Sequence, residues 1–233
     1  MLSTMTVAVL VSSAGPAAAA TKALTLTTYG STNTSIGYQA FANVNFGGAT
    51  VTPSGKVTFR LYRPTDPSCT SPVYTSTVAV NGTSINSPSW VTNQAGTYRW
   101  TTSYSGDATY YPVAATPCTA VTADVLVSKA RNVMNVTAQP LTNGQLKASA
   151  TLTGYSPTGS ITYQLTNTQN CTGTPLLTVS VPVNSGGPTL SSGYRPTVGG
   201  TYRWRASYAG DANNQGSSIS ACFASNNSVV YTP

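Results

Sequence analysis

Apolar and polar positions alternate with a period of two along most of this chain, in short runs rich in β-branched and aromatic residues. Gly, Pro, Asn and Ser end these runs, and helical periodicity is nowhere sustained. The pattern is typical of short antiparallel strands. In the N-terminal half it predicts about seven strands, at 22–29, 36–45, 55–63, 72–80, 89–93, 96–105 and 119–127.

Two stretches of the sequence occur twice at one constant shift. The segment Gly-Thr-Tyr-Arg-Trp stands at 96–100 and again at 200–204, and Ser-Tyr-x-Gly-Asp-Ala follows at 103–108 and 207–212. A match of this length indicates an internal repeat rather than chance composition. The sequence therefore predicts two tandem copies of one domain, repeat 1 at 21–127 and repeat 2 at 128–233.

The number of strands in each repeat favours one architecture. About seven short strands in about 105 residues is the count of an immunoglobulin (Ig)-like sandwich. Such sandwiches place a Tyr at the corner that enters strand F, with its hydroxyl bonded to upstream backbone and a core residue two positions later. Tyr98 and Tyr202 fit this corner, and Trp100 and Trp204 fit the core position. The predicted fold is all-β, with two tandem Ig-like antiparallel β-sandwich domains.

The strand predicted at 96–105 divides its side chains between two faces, because successive residues of a strand point to opposite sides. One face carries the large aromatic residues and is expected to be core, whereas the other is expected to face water. The core face comprises Tyr98, Trp100, Thr102 and Tyr104, and the water face comprises Arg99, Thr101 and Ser103.

The N-terminus has the pattern of an export signal. Residues 6–15 are small and apolar, and Pro16 with the alanines at 17–20 supplies the small-residue stretch that signal peptidase requires. We expect a signal peptide at 1–20, although no Lys or Arg precedes the apolar run. The alternative is a simple N-terminal extension. The apolar run is shorter than the roughly 20 residues that cross a bilayer, so the mature chain is predicted to have no transmembrane segment.

The four cysteines predict two disulfides of equal design. Cys69 and Cys118 are 49 residues apart, and Cys171 and Cys222 are 51 apart, so the repeated spacing selects one pairing out of three. No Cys-x-x-Cys pair and no His occur, which argues against zinc or redox use. Each bridge would close a loop of about 50 residues and contribute roughly 4 kcal/mol by the chain-entropy estimate.

These motifs together resemble a known family. The segment Ser-Gly-x-Val-Thr-Phe-x-Leu-Tyr at 54–62, a Cys, the repeated Tyr-Trp and Gly-Asp-Ala motifs and a second Cys resemble the bacterial Ig-like domain repeats of exported, mainly actinobacterial, surface proteins. The resemblance covers nearly all of the mature chain, in two copies. It implies an extracellular β-sandwich module used in stalks and adhesins, and it implies no catalytic activity.

The composition argues against an enzyme. Only 6% of the residues are charged, His is absent, and all four acidic residues are Asp. A Ser or Thr nucleophile needs an activating base, and neither His nor Glu is available. No cofactor and no metal site are predicted. Asp107 and Asp211 follow Gly at equivalent repeat positions, which suits a turn in which Asp bonds its own backbone better than a calcium ligand or a general acid.

The basic residues are the candidate binding residues. The net charge is +7, from 11 Lys and Arg against 4 Asp. Arg60, Tyr62 and Arg99 are expected to form one exposed patch in repeat 1, and Arg203 and Arg205 lie on the equivalent face in repeat 2. Such faces suit anionic cell-wall polymer, acidic glycan or lipid headgroups. The alternative is that the charges only discourage pairing between sheets. Nucleic acid is not an expected partner, because no dense basic run or groove-binding helix is present.

The sequence thus predicts a secreted, non-enzymatic Ig-like module with a structural or adhesive role at the cell envelope or in the extracellular space. The alternative is a soluble secreted protein that binds anionic glycan or cell-wall polymer through its basic strand faces. A hydrolase is a third class, which the missing base disfavours. The expected partners are cell-wall polymer, glycan or another surface protein.

Overall fold

β-Strands form nearly all of the regular structure in the computed structural model, which describes residues 20–184, 187–224 and 226–233. The prediction of an all-β fold built from Ig-like sandwiches is confirmed. The predicted signal peptide, except for Ala20, lies outside the described residues. Within the described part of the chain, no helix is long and apolar enough to cross a membrane.

The N-terminal sandwich, residues 25–128, packs a three-stranded sheet against a five-stranded sheet. The first sheet is antiparallel, in the order β1-β4-β7. Its strands are β1 (Thr25–Gly30), β4 (Ala42–Gly47) and β7 (Ser84–Asn86). The second sheet has the order β2-β10-β9-β5-β6. Its strands are β2 (Thr34–Ser35), β5 (Lys56–Tyr62), β6 (Tyr74–Ala79), β9 (Gly96–Tyr104) and β10 (Asp124–Ser128).

Two further strands form a small separate pair in this sandwich, and they differ from the prediction. The run expected at 36–45 is divided, because its first part, β3 (Gln39–Ala40), pairs with β8 (Trp90–Val91), whereas β4 pairs with β1. The last predicted strand begins with a 3-10 turn at Val121–Ala123 and becomes extended only in β10.

The C-terminal sandwich, residues 134–231, repeats the arrangement with one strand fewer in its larger sheet. The smaller sheet has the order β11-β12-β15 and the larger the order β14-β13-β16-β17. The smaller sheet consists of β11 (Met134–Ala138), β12 (Ala148–Leu152) and β15 (Thr189–Leu190). The larger sheet consists of β13 (Ser160–Thr166), β14 (Leu177–Pro182), β16 (Gly200–Tyr208) and β17 (Ser228–Tyr231).

A Trp lies at the centre of each hydrophobic core, and both are fully buried. Trp100 packs edge-on against Phe59, with ring centroids 6.4 Å apart, and Trp204 packs edge-on against Tyr163 at 6.2 Å. Edge-to-face geometry is preferred by aromatic quadrupoles and adds about 1 kcal/mol per pair beyond area burial. The two indoles therefore anchor two separate clusters of core residues.

The water face predicted for the strand at 96–105 is wrong for one residue. Thr101 is only 3% exposed, although it lies on the side of β9 opposite Trp100. β9 lies between β10 and β5 in the sheet, and Arg60 is the cross-strand partner of Thr101. Long side chains on neighbouring strands can cover a short side chain in the middle of a sheet. This accounts for the burial of Thr101 on the outer face.

The tyrosine corner and the disulfides hold the chain at the ends of the strands. The Tyr98 hydroxyl donates to Oδ1 of Asn93 at 3.2 Å, and the Tyr202 hydroxyl donates to the carbonyl of Val198 at 2.8 Å. The predicted disulfides are confirmed, and their Cα atoms are 5.9 and 5.8 Å apart. The bridges are Cys69–Cys118 and Cys171–Cys222.

Asp107 fastens the loop after β9 to a neighbouring loop. One carboxylate oxygen accepts hydrogen bonds from the backbone N–H of Ser54 at 2.7 Å and the hydroxyl of Tyr104 at 2.8 Å. The other accepts from the N–H groups of Thr109 and Tyr110, each at 2.7 Å. The carboxylate closes its own turn, as the turn hypothesis predicts.

Asp211 makes the same set of bonds in the C-terminal sandwich. Its carboxylate accepts from the N–H of Thr158 at 2.7 Å, the hydroxyl of Tyr208 at 2.9 Å and the N–H groups of Asn213 and Asn214 at 2.7 Å. Both aspartates are therefore used to join two loops within their own sandwich.

The sandwiches touch end to end. The backbone N–H of Ala95 donates to Oδ1 of Asn213 at 3.0 Å, and the ring of Tyr155 packs against the N-terminal core. Gly37 lies under this ring, and the position that a Cβ of residue 37 would occupy is 3.4 Å from the ring of Tyr155. Side chains of the C-terminal sandwich thus rest directly on the N-terminal one.

Candidate functional site

The outward face of the larger C-terminal sheet carries two neighbouring arginines. Along β16 the aromatic side chains point inward, so Arg203 and Arg205 alternate with them and point outward. Their guanidinium groups belong to positions two apart on one strand, about 7 Å apart at the backbone. We call this surface, formed by Arg203, Arg205, Gln164 and Phe223, the basic face.

Arg205 is held in place on this face but is not fully hydrogen-bonded. Its Nη2 donates to Oε1 of Gln164, the cross-strand partner on β13, at 3.1 Å. Its Nε is buried and has no acceptor among the described residues. A buried N–H group without a partner is costly to the fold, so the donors that Arg205 can offer to an external acceptor are those of its guanidinium Nη atoms.

Arg203 stacks on an exposed aromatic ring. Its guanidinium carbon lies 5.4 Å from the centroid of Phe223, a side chain that is 67% exposed. Its cross-strand partners are Thr166 on β13 and Ser228 on β17, neither of which carries charge. Such stacking orients the guanidinium plane without neutralising it.

The equivalent face of the N-terminal sandwich differs in its charge. Arg99 corresponds to Arg203, but its partner on β10 is Asp124, and its Nε lies 3.9 Å from a carboxylate oxygen of that residue. Burial raises the pKa of Asp124, and the attraction of Arg99 offsets this only in part. The positive charge of Arg99 in the N-terminal sandwich is therefore partly compensated.

The sequence predicts one exposed patch made of Arg60, Tyr62 and Arg99. This prediction is wrong for Tyr62. The structure brings these residues together, because Tyr62 is the cross-strand partner of Arg99 and Arg60 lies two residues earlier on the same strand. Yet Tyr62 is only 6% exposed. β5 has paired strands on both sides, and Arg99 directly opposite is within reach of the ring.

Each of the four Asp side chains has an intramolecular partner. Asp66 accepts hydrogen bonds from the backbone N–H groups of Thr70 and Ser71, which lower its pKa. Asp107 and Asp211 close their turns, and Asp124 forms the one ion pair found among the described residues. The remaining cations have no carboxylate within ion-pairing distance there, so the excess charge is available to external anions.

Phe223 was not among the residues selected from the sequence. It directly follows Cys222, and the disulfide to Cys171 fixes this segment beside the sheet. The sequence feature that could have identified Phe223 as a candidate site residue is its position, as a bulky aromatic residue beside a disulfide-bonded cysteine in a polar loop. The pairing with Arg203 depends on the three-dimensional path of the loop, which this feature alone does not give.

Comparisons with known proteins give no family. No family model matches the chain, and no curated protein sequence matches it. Among solved structures, red sea bream transglutaminase is similar over 85% of this chain with a TM-score of 0.37 and 9% identity, and the chain spans 31% of that protein. The human OSCAR ligand-binding domain is similar over 87% of this chain and 100% of its own length, with a TM-score of 0.24 and 15% identity. Likenesses at these values do not bear on what this chain does.

Proposed function

We propose that this protein is an exported, non-enzymatic Ig-like module that adheres to an anionic polymer of the cell envelope through the basic face. The observation that carries the proposal is the difference between the two sandwiches at one position. Arg99 faces a carboxylate at 3.9 Å, whereas Arg203 faces Ser228. The C-terminal sandwich thus presents two arginines without the compensation found in the N-terminal one.

The chemistry of the basic face suits phosphate or carboxylate groups. A guanidinium presents its donors in a planar fork that matches both groups, and it is more weakly hydrated than an ammonium. Phe223 holds one guanidinium plane, and Gln164 holds the other. The guanidinium groups of Arg203 and Arg205, held on one rigid strand, would bind successive phosphate or carboxylate groups along a polymer.

Export is supported by the two disulfides, because such bonds persist in oxidising compartments outside the cytosol. The apolar N-terminal segment adds to this support from the sequence. The non-enzymatic part of the proposal rests on the composition, which lacks the His and Glu bases that activate a hydroxyl nucleophile.

The test is equilibrium binding of the purified protein to immobilised poly(glycerol phosphate) at low and at physiological ionic strength. The double variant Arg203→Gln/Arg205→Gln should bind about tenfold more weakly, since each lost charge-assisted contact weakens binding. A matched control is Lys147→Gln/Arg195→Gln, which removes the same charge from the same sandwich away from β16. It should change the affinity less than about threefold, through long-range charge alone.

Equal losses for the two double variants would overturn the assignment to the basic face, because binding would then depend only on net charge. Absence of binding by the unaltered protein at both ionic strengths would overturn the adhesive proposal and favour a passive spacer. Binding that survives physiological salt, where the Debye length is about 8 Å, would support a shaped site.

A further inference from the structure

A cleft of about 470 Å³ opens at the junction of the two sandwiches. Its walls come from both, with Ser35 and Tyr38 on the N-terminal side and Arg131 and Tyr155 on the C-terminal side. The volume lies within the range of about 300 to 1,000 Å³ that small-ligand sites occupy, and such sites occur preferentially between domains. From these residues we propose that the cleft binds an acidic saccharide.

Two tyrosines supply the surface on which a sugar ring can stack. Tyr38 is 67% exposed, and Tyr155 is partly buried where it rests on the N-terminal core. The C–H groups on one side of a pyranose ring form an apolar face that packs on the electron-rich face of an aromatic ring. A large aromatic side chain exposed at a cleft is typical of ligand sites.

The polar groups of these cleft residues are unpaired within the described chain. Neither the hydroxyl of Tyr38 nor that of Tyr155 makes a hydrogen bond there, and the same holds for Oγ of Ser35 and the guanidinium of Arg131. The buried tyrosines of the cores behave differently. Their hydroxyls are hydrogen-bonded at Tyr98, Tyr104, Tyr110, Tyr163, Tyr202 and Tyr208.

The single cation of the cleft selects the ligand's charge. Arg131 has no ion-pair partner among the described residues, and no Asp lines the cleft. A guanidinium binds a carboxylate through two parallel hydrogen bonds. Free hydroxyls, a stacking surface and one cation together match a sugar unit that bears one carboxylate.

The backbone of both tyrosines is fixed before any ligand binds. The N–H of Tyr155 donates to Oδ1 of Asn214 at 2.8 Å, and Nδ2 of Asn214 donates back to the Tyr155 carbonyl at 3.0 Å. The carbonyl of Tyr38 accepts from the N–H of Thr92 at 2.9 Å and from its hydroxyl at 3.0 Å. Preorganised walls reduce the entropy lost on binding.

The cleft is separate from the basic face. Asn213, at the junction, follows the end of β16, whereas Arg203 lies near the start of this nine-residue strand. Arg203 and Arg205 lie five and three residues before the last residue of this strand, which is about 17 and 10 Å along it. Binding in the cleft therefore does not depend on Arg203 or Arg205, and the two proposals can fail independently.

The test is a titration of the ¹⁵N-labelled protein with trigalacturonate, followed by amide chemical shifts. Shifts should occur at 35–38, 130–131 and 153–155, and they should persist there in the variant Arg203→Gln/Arg205→Gln, which removes any binding at the basic face. Maltotriose, an uncharged trisaccharide, should bind at least about tenfold more weakly, because it offers no carboxylate to Arg131. The variant Arg203→Gln/Arg205→Gln should bind trigalacturonate in the cleft within about threefold of the unaltered protein, because it loses only long-range charge there.

Two variants and one control assign the binding to named side chains. Tyr38→Ala and Arg131→Gln should each weaken trigalacturonate binding about tenfold or more, through lost stacking and lost pairing. Tyr111→Ala removes a similarly exposed tyrosine, 51% accessible, that does not line the cleft, and it should bind normally.

Shifts confined to β16, or equal affinities for Tyr38→Ala and Tyr111→Ala, would overturn the proposal. The same conclusion would follow if millimolar trigalacturonate produced no shifts, or if maltotriose bound as well as trigalacturonate. Because Tyr38 is largely exposed and its hydroxyl bonds nothing in the described chain, its replacement should leave the folded spectrum intact, and the spectrum itself reports this.

Discussion

The hydrogen bonds of Asp107 and Asp211 predict how the stability of this protein depends on pH. Partial burial alone would raise the pKa of Asp107, but the hydrogen bonds from Ser54, Tyr104 and the turn outweigh it and hold the pKa well below its usual value. The same balance holds for Asp211 with Thr158 and its own turn. The partner tyrosine responds in the opposite direction, since burial and the nearby carboxylate raise the pKa of Tyr208 to about 12.

The sign of the pH dependence follows from these shifts. A carboxyl whose folded pKa is lowered stabilises the fold above the unfolded pKa of about 3.9, and this contribution is lost as the pH falls through the folded value. We therefore expect Asp107→Asn and Asp211→Asn each to reduce the free energy of unfolding at pH 7 by about 2 kcal/mol, through weakened charge-assisted hydrogen bonds. Urea unfolding from pH 7 down to pH 2 measures this, and the deficit should shrink toward pH 2.

Asp124→Asn is the control for that series. Because the folded pKa of Asp124 is raised, its contribution is present below the unfolded pKa and is lost as the pH rises through the folded value. The difference between this variant and the unaltered protein should therefore change with pH in the opposite direction. A deficit that grows toward pH 2 for Asp107→Asn would contradict the assignment.

At the scale of elements, each sandwich is assembled from strands that are short by themselves and gain stability from cross-links. The strands β2, β3, β8 and β15 have only two residues each. The bridge Cys69–Cys118 connects the loop after β5 to the segment before β10, and Cys171–Cys222 does the same after β13 and before β17. The bridges therefore fasten loops that the ladders leave unpaired.

Removal of one bridge should destabilise mainly the sandwich that contains it. Closing a loop of 49 or 51 residues reduces the entropy of the unfolded chain by an amount worth about 4 kcal/mol. Cys69→Ser/Cys118→Ser should lower the unfolding midpoint of the N-terminal sandwich, and Cys171→Ser/Cys222→Ser that of the C-terminal one. The indole N–H signals of Trp100 and Trp204 in the ¹⁵N-labelled protein follow the N-terminal and C-terminal cores separately, without replacing either anchor. Equal shifts of both midpoints for either variant would show that the sandwiches unfold as one unit.

At the scale of the whole molecule, a small set of contacts determines how one sandwich rests on the other. The Tyr155 ring and the Asn213 side chain both come from loops at the same end of the C-terminal sandwich. They meet Gly37 and the N–H of Ala95, which lie at the facing end of the N-terminal sandwich. A hydrogen bond and a partly buried ring fix the orientation of the two sandwiches more firmly than a flexible linker would.

We expect Tyr155→Ala/Asn213→Ala to widen the range of angles between the sandwiches while each remains folded. The physical reason is the loss of a packed ring and of a hydrogen bond that together oppose hinge motion. Small-angle X-ray scattering should show a broader distribution of interatomic distances, and residual dipolar couplings should no longer fit one common alignment. Thr109→Ala, at the position equivalent to Asn213 in the N-terminal sandwich, should have no such effect, and a common alignment for the double variant would refute the expectation.

The local sequence pattern was sufficient to predict most strands, the buried Trp residues and the disulfides of this protein. The alternation of apolar and polar residues identified most strands, because side-chain direction in a strand depends only on position along the chain. The repeated Tyr-x-Trp motif indicated the buried indoles, and the two nearly equal cysteine spacings, 49 and 51 residues, gave the disulfide pairing. The outward direction of Arg203 and Arg205 followed from the same alternation.

Tertiary structure alone decided which side chains are neighbours across strands and sandwiches. The burial of Tyr62 and the pairing of Arg99 with Asp124 depend on the order of the strands in the sheet. The alternation of residues along a single strand carries no information about that order. The division of the strand expected at 36–45 arose because its halves found different partners. The cleft joins Tyr38 to Tyr155, residues far apart in the sequence, because packing between sandwiches is a property of surfaces rather than of any segment.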